Sequence, residues 1–184
     1  MTSLVAQYKE MHKNENLYVG SALTLHKEII RDYIHIKKCD TILDYGCGKG
    51  IQYFKENIHA EYFYGIMPSL YDPAVEEFSS LPEGTFDSVI CTDVLEHIEE
   101  NNIDSILAEI YSKASRLVYL GICNSPADSF LPDGRNSHVT MKHMDWWLEK
   151  ITPYAETFTV VHVYGVGKST SLIENNKVIF KKIR

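Results

Sequence analysis

Three glycines at alternate positions, Gly46, Gly48 and Gly50, follow a short apolar run that ends in an acidic residue, Asp44. Glycine adopts backbone conformations that are closed to other residues, and its missing Cβ lets a ligand approach the main chain. A helical pattern begins at Ile51, so the turn presents free N–H groups at the start of a helix. The carboxylate of Asp44 would repel a pyrophosphate. The segment therefore predicts a ligand that carries a cationic group.

Asp72 and Asp93 also follow apolar runs that are typical of strands. Pro73 bars a helix at Asp72, and an acid after the second strand of a doubly wound fold can accept hydrogen bonds from both ribose hydroxyls. Asp72 is therefore a candidate ribose ligand, although Asp-Pro is also common in simple turns. His97, four residues after Asp93, could remove a proton from an attacking hydroxyl or amine. The alternative for His97 is a role in the turn and in packing.

Residues 124–138 form the longest stretch without periodicity, and a loop of this length in a compact domain is usually functional or disordered. The loop follows an apolar strand pattern, which places it at the same edge of the sheet as the glycine turn. A turn at Asp133 would present Arg135, Asn136 and His138 to a substrate. Arg135 offers a forked donor for phosphate or carboxylate, and His138 offers a proton acceptor. We expect a substrate-recognition loop, and a solvated loop is the alternative.

The hydrophobic periodicity of the chain predicts helices and strands around these residues. Helices are expected at 2–16, 22–36, 51–57, 101–115 and 140–151, and extended segments at 41–45, 61–67, 69–71, 86–93, 117–123, 157–166 and 177–183. Ser21 and Thr140 are expected to cap the helices that follow them. His26 lies on the inner face of its helix and is expected to be a packed histidine, with a contact to the ligand as the alternative.

The order of these elements predicts an α/β fold. Between Asp72 and Phe86 the chain is too short for a complete helix–strand–helix unit, so the third-strand region is shortened. We expect a doubly wound, mostly parallel sheet with a C-terminal antiparallel hairpin and an N-terminal helical cover.

Length and composition predict one domain over residues 1–184, with 1–38 as the helical cover and 39–184 as the ligand-binding core. No apolar run approaches the roughly 20 residues of a membrane-spanning helix, and a signal-peptide pattern is missing. We therefore expect a cytoplasmic protein without a membrane partner. The net charge of −7 makes binding to nucleic acid unlikely. The four cysteines are dispersed and form no C-x-x-C pair, so we expect neither a disulfide framework nor a metal site.

Two segments resemble a known protein family. The pattern D-Y-G-C-G-K-G at 44–50 resembles motif I of the class I S-adenosylmethionine-dependent methyltransferases, whose ligand carries an ammonium and a sulfonium. The pattern F-D-S-V-I-C-T-D-V-L-E-H-I at 86–98 is similar to the fourth-strand segment of many members. The resemblance implies the doubly wound fold, S-adenosylmethionine as cofactor and S-adenosylhomocysteine as product.

The resemblance also implies roles for individual residues. Gly46 and Gly48 would approach the cofactor through their backbone, Asp44 would accept from its ammonium group, Asp72 would hold the ribose, and Asp93 would lie beside the methionine moiety. The wider cofactor-binding set adds Tyr45, Pro73 and Val94. The expected catalytic residues are His97 and His138, and the expected substrate-binding residues are Asp133, Arg135 and Asn136.

The residues indicate the methyl acceptor less directly than they indicate the cofactor. An in-line transfer needs mainly a nucleophile that is held close to the methyl group, with modest help from a base. We expect a small-molecule acceptor of the sugar or phosphorylated-metabolite class that meets Arg135. The alternatives are a non-catalytic S-adenosylmethionine-binding protein and a nucleic-acid or protein methyltransferase. A nucleotide-binding oxidoreductase is disfavoured by Asp44 and by a glycine spacing that differs from G-x-G-x-x-G.

Overall fold

A seven-stranded sheet forms the centre of the molecule in the computed structural model, which describes residues 3–14 and 22–183. The strands are β1 (Ile42–Tyr45), β2 (Ser69–Tyr71), β3 (Phe86–Thr92), β4 (Ala114–Cys123), β5 (Phe158–Tyr164), β6 (Ser169–Glu174) and β7 (Lys177–Ile183). Their spatial order is β2-β1-β3-β4-β5-β6-β7. Strands β1 to β5 pair in parallel, whereas β6 and β7 form an antiparallel hairpin at the C-terminal end. The expected mostly parallel sheet with its terminal hairpin is confirmed.

Helices cover both faces of this sheet. They are α1 (Leu4–His12), α2 (Lys27–Lys37), α3 (Ile51–Phe54), α4 (Ile58–Tyr62), α5 (Ile103–Lys113) and α6 (Met144–Ile151). On one face, Leu107 of α5 and Trp147 of α6 belong to the same buried cluster as Val118 of β4. On the other face, Ile34 of α2 and Tyr53 of α3 belong to a second cluster. Strand β4 is apolar and buried along most of its length because it has helices on both sides.

The register of the parallel strands brings the candidate residues to one edge. Tyr45 pairs with Tyr71, so β1 and β2 end together, and Thr92 pairs with Gly121, so β4 ends two residues beyond β3. The N–H of Gly46 donates to the carbonyl of Tyr71 over 2.7 Å and extends the ladder by one residue. The glycine turn, Asp72 and Asp93 therefore all lie at the carboxyl edge, where ligands bind in open α/β sheets.

The shortened third-strand region is also confirmed. Between β2 and β3 the described chain makes a single short 3₁₀ helix, Glu76–Phe78, and β2 is left as the outer strand of the sheet.

Two local predictions were wrong, those for 61–67 and Thr140, and the helix expected at 22–36 is confirmed except for its first turn. Residues 61–67 are not a strand: α4 runs to Tyr62, and Tyr64 and Gly65 then adopt positive φ angles that break any extended run. The 22–36 helix starts with a 3₁₀ turn, Ala22–Leu25, before α2. Thr140 does not cap α6, which begins at Met144. Its hydroxyl instead donates to the carbonyl of Ile98 over 2.7 Å. The expected cap Ser21 lies outside the described residues.

None of the described helices is long and apolar enough to cross a bilayer.

Candidate functional site

The glycine turn at the end of β1 has the backbone geometry that only glycine adopts easily. Gly46 and Gly48 have φ angles of 88° and 57°, in the left-handed region. A Cβ on Gly46 would lie 2.1 Å from Cγ2 of Val94, so this position also has no room for a side chain. The contact joins the glycine turn to the segment after β3, and both lie at the same sheet edge.

Asp72 ties the end of β2 to the glycine turn. Its Oδ2 accepts from the N–H of Gly48 over 3.0 Å, and its Oδ1 accepts from the N–H of Ala74 over 2.8 Å. The turn-forming role is therefore real. Because a carboxylate offers about four acceptor positions, Asp72 keeps capacity for ribose hydroxyls. Pro73, next in the chain, is half-buried beside it.

Asp44 lies beneath the turn and is buried. Its Oδ2 accepts from the hydroxyl of Tyr53 over 2.7 Å and from Nε2 of Gln52 over 3.3 Å, both on α3. Burial raises the pKa of Asp44 to about 7, against the opposing effect of these two donors. The ring of Tyr45 points into the core instead, where its hydroxyl donates to Glu109 of α5 over 2.5 Å. Only the main chain of Tyr45 is therefore available at the edge.

Asp93, directly after β3, has a positive φ angle of 56° and presents its carboxyl group towards that of Glu96. Glu96 is fully buried, and its Oε1 accepts from the N–H of Cys123 at the end of β4 over 2.6 Å. Burial raises the pKa of Asp93, and it raises the pKa of Glu96 well above its usual range. Glu96 is the most deeply buried acid at this edge, and no sequence pattern marked it as a site residue.

The structure brings the two predicted catalytic histidines together. The rings of His97 and His138 meet edge to face with centroids 4.7 Å apart. Nδ1 of His138 lies 2.6 Å from the carbonyl oxygen of Ser125, and Nδ1 of His97 lies 2.9 Å from that of Ser137. A carbonyl can only accept, so each Nδ1 carries the proton and each Nε2 is an acceptor. Burial and the neighbouring His138 lower the pKa of His97 to about 3, so His97 is neutral.

The loop before His138 is ordered by its own side chains. Asn136 bridges the loop, since its side chain bonds to both the N–H and the carbonyl of Ala127 and accepts from the N–H of His138. The guanidinium of Arg135 already binds two carboxylates: Nη2 lies 2.9 Å from Asp133 and Nη1 lies 2.8 Å from Glu99. Hydrogen bonds from Arg135 hold the pKa of Asp133 at about 2. A substrate anion would therefore have to compete for Arg135.

Helix α1 lies over this edge and contributes residues that sequence reasoning missed. Gln7 exchanges two hydrogen bonds with Asp133, one through its amide nitrogen over 2.9 Å and one through its amide oxygen over 3.2 Å. The hydroxyl of Tyr8 donates to the carbonyl of Ser137 over 2.6 Å and lies 3.1 Å from Nδ1 of His97. In the sequence, the one signal at Gln7 and Tyr8 is their helical spacing to Met11. That spacing indicates a helix that packs on the core and gives no sign of a site.

The C-terminal end of α1 reaches the glycine turn. His12 is close enough to Asp72 and Lys49 for both charges to affect its pKa, which burial lowers. Nζ of Lys49 donates to the carbonyl of Asn14 over 2.7 Å. Helix α1 thus spans the edge from the loop at Asp133 to the turn at Asp72.

His26 is a packed residue, as expected. It is 1% exposed, and its Nδ1 lies 2.9 Å from the hydroxyl of Tyr119. Gly121 leaves room for the ring, since a Cβ there would lie 2.8 Å from Nε2 of His26.

The sheet edge therefore holds two groups of residues. Gly46, Gly48 and Asp72 form a hydrogen-bonded turn at the ends of β1 and β2. Asp93, Glu96, His97 and His138 form a buried polar cluster beyond the ends of β3 and β4. Val94 packs on Gly46 and connects the two.

Comparison with models of known protein families gives a match over most of the chain. A family model described as a methyltransferase domain matches residues 22–166, which include the sheet edge just described. Neither the curated proteins nor the solved structures gave a significant match.

Proposed function

The chain belongs to the class I S-adenosylmethionine-dependent methyltransferases, and from this we propose that it transfers the methyl group to a small-molecule acceptor at the carboxyl edge of its sheet. The observation that carries the proposal is the packing of Val94 on Gly46, because it joins the glycine turn to the buried polar cluster. A cofactor on the turn would have its methionine end next to that cluster.

The turn and Asp72 make up the cofactor half of the site. The backbone of Gly46 and Gly48 would contact the cofactor, and Asp72 would accept from the ribose while it keeps its bond to Gly48. Asp44 precedes Gly46 by two residues and lies beneath the turn. Its carboxylate would provide negative charge towards the ammonium group of the cofactor, directly or through water. Asp93 would lie beside the methionine moiety.

The polar cluster makes up the acceptor half. In-line transfer requires the attacking atom about 3 Å from the methyl carbon, so the main contribution of the protein is position. His97 and His138 are both held by carbonyl groups with Nε2 as acceptor. His138 could take the proton of an acceptor hydroxyl or amine as the bond to carbon forms, whereas His97, whose pKa is lowered to about 3, is a weak base and would mainly position the acceptor.

The substrate loop supports a small acceptor with an acidic group. Arg135 would replace its ion pair with Glu99 or Asp133 by one with a phosphate or carboxylate of the acceptor. Its guanidinium can bind such a group through two parallel N–H donors. The net charge of −7 disfavours a nucleic-acid acceptor. A sugar or phosphorylated metabolite is our preferred class.

Calorimetric titration with S-adenosylmethionine, S-adenosylhomocysteine and NAD tests the cofactor half directly. We expect micromolar binding of the first two and none of NAD. Asp72→Ala should abolish binding, because it removes both the proposed ribose ligand and the carboxylate that accepts from the N–H of Gly48. Asp87→Ala is the matched control, since Asp87 also accepts from backbone N–H groups in a loop but lies at the opposite end of the sheet. Folded protein that binds none of these ligands would disprove the proposal.

A further inference from the structure

The buried polar cluster and its neighbour Cys123 contain donor atoms suited to a metal ion. One ligand atom each from Glu96, Cys123 and His138 lies within 4.8 Å of the others. These atoms are an oxygen, a sulfur and a nitrogen, the set from which zinc sites are built. The residues come from three separate places in the chain, which is why cysteine spacing alone predicted no metal site.

The orientation of His138 fits a ligand. Its Nδ1 donates to the carbonyl of Ser125 over 2.6 Å, so Nε2 carries the lone pair. Metal-binding histidines are normally fixed in this way, because the second nitrogen donates to a carbonyl or carboxylate that sets the tautomer and the ring orientation. His138 is also only 9% exposed, so its ring is held in place.

Glu96 supplies the second, independent indication. Its side chain is 0% exposed and Oε1 accepts from the N–H of Cys123, yet Oε2 has no hydrogen-bond partner among the described residues. Asp93 presents Oδ1, which also has no partner in that part of the chain. Two carboxyl groups that face each other in a buried site repel unless a proton or a cation lies between them.

We propose that Glu96, Cys123 and His138 bind one divalent transition-metal ion of the zinc class. Three different donor types converge here, and a shared proton would account for the two carboxyl groups but not for the thiol and the imidazole. In a tetrahedral zinc site the donor atoms are about 3.5 Å apart, so binding requires the ligands to close by about 1 Å. The site is defined by side chains alone, and an ion bound at Nε2 of His138 would exclude that residue as the base of methyl transfer.

Cobalt titration of EDTA-treated protein tests the site, because tetrahedral Co²⁺ has intense visible bands and a thiolate ligand adds a near-ultraviolet charge-transfer band. We expect one equivalent of Co²⁺ to bind and one equivalent of Zn²⁺ to displace it. Cys123→Ser should remove the charge-transfer band, and His138→Ala should weaken binding at least about tenfold. Cys39→Ser is the matched control, since Cys39 is buried outside this cluster and should leave the spectrum unchanged.

Two results would overturn the site. One is folded wild-type protein, verified by circular dichroism, that takes up no Co²⁺, which would leave a shared proton between Asp93 and Glu96. The other is a cobalt spectrum that Cys123→Ser and Cys39→Ser affect equally. Glu96→Gln serves as a second variant if His138→Ala does not fold, and it should also weaken binding. The titration contains no S-adenosylmethionine, so failure of the metal site and failure of the cofactor site are separate results.

Discussion

At the scale of single residues, the environment of Asp44 decides its chemistry. The group is surrounded by Tyr53, Gln52, Cys47 and the like charge of Asp72, and burial raises its pKa to about 7. In the folded protein Asp44 therefore binds a proton over a pH range in which the unfolded chain has already released it. Stability from this group is greatest below pH 4, declines as the pH rises to 7, and then stays constant.

Asp44→Asn removes this titration while Asn keeps an acceptor for Tyr53 and Gln52. We expect the variant to gain about 2 kcal/mol relative to wild type when the pH is raised from 5 to 8, because the wild-type protein must ionise a buried carboxyl. Urea unfolding of both proteins at the two pH values measures the difference. An identical pH dependence in both would mean that Asp44 titrates normally.

Arg135 is the residue on which the acceptor proposal depends. Arg135→Ala should lower kcat/KM for the acceptor by tenfold or more and leave the Kd of S-adenosylmethionine nearly unchanged, because the loop does not form the glycine turn. Arg116→Ala is the matched control: Arg116 is 49% exposed against 47% for Arg135 and pairs with Asp87 at the other end of the sheet. Equal losses of acceptor use and cofactor affinity in the Arg135 variant would contradict the role of the loop.

The residues of the site differ in how far the sequence could predict them. The glycine turn, Asp72 and Asp93 could be located because strand ends and glycine spacing are local signals. Glu96 and Cys123 are 27 positions apart, and their 2.6 Å hydrogen bond depends on the pairing of β3 with β4. Tyr8 is 89 positions from His97, and nothing in its local pattern indicates that contact.

At the scale of elements, α1 is the cover of the candidate site. It is a nine-residue helix, too short to be stable by itself, and the hydrogen bonds from Gln7 and Tyr8 help to hold it against the edge. An element held by a few side-chain contacts opens at a lower free-energy cost than the core. We therefore expect α1 to be displaced when a cofactor enters the edge.

Tyr8→Phe should therefore accelerate both association and dissociation of S-adenosylmethionine. Loss of one hydrogen bond costs roughly 1 kcal/mol, which corresponds to about a fivefold change in the population of the open cover. Stopped-flow fluorescence measures both rates. Tyr111→Phe is the control, since it removes a hydroxyl that bonds to Thr159 in the core, away from α1. Equal rate changes in both variants would exclude a specific role for α1.

The elements themselves were largely predictable where one physical signal dominated. Strand β7 was expected at 177–183 and occupies those residues. The aromatic run at 61–67 misled because its residues pack against neighbouring helices: Tyr62 and Phe63 join the cluster that includes Ile58 and Tyr53. Thr140 looked like a cap in sequence, but a tertiary contact to Ile98 uses its hydroxyl.

At the scale of the whole molecule, the alternation of strands and helices was enough to predict a doubly wound sheet, and the seven-stranded order confirms it. The position of α1 was not predictable at this scale. The sequence predicts an N-terminal helical cover, but it does not indicate the surface against which this cover packs. Its docking on the loop before His138 follows from side-chain hydrogen bonds that only the folded chain brings together.

The outer position of β2 has a consequence for donor selectivity. Among the described residues, the 3₁₀ helix Glu76–Phe78 is the single element between β2 and β3, so the adenine of a bound donor would lie against an open flank instead of a third strand. Recognition would then depend on the amino-acid and ribose ends of the donor, and the base would contribute little. We expect an N6-substituted S-adenosylmethionine to bind within about threefold of the natural compound in calorimetry, whereas a loss above tenfold would indicate a closed base pocket. An enzyme with such an open flank would accept base-modified donors that methyltransferases with an enclosed adenine exclude.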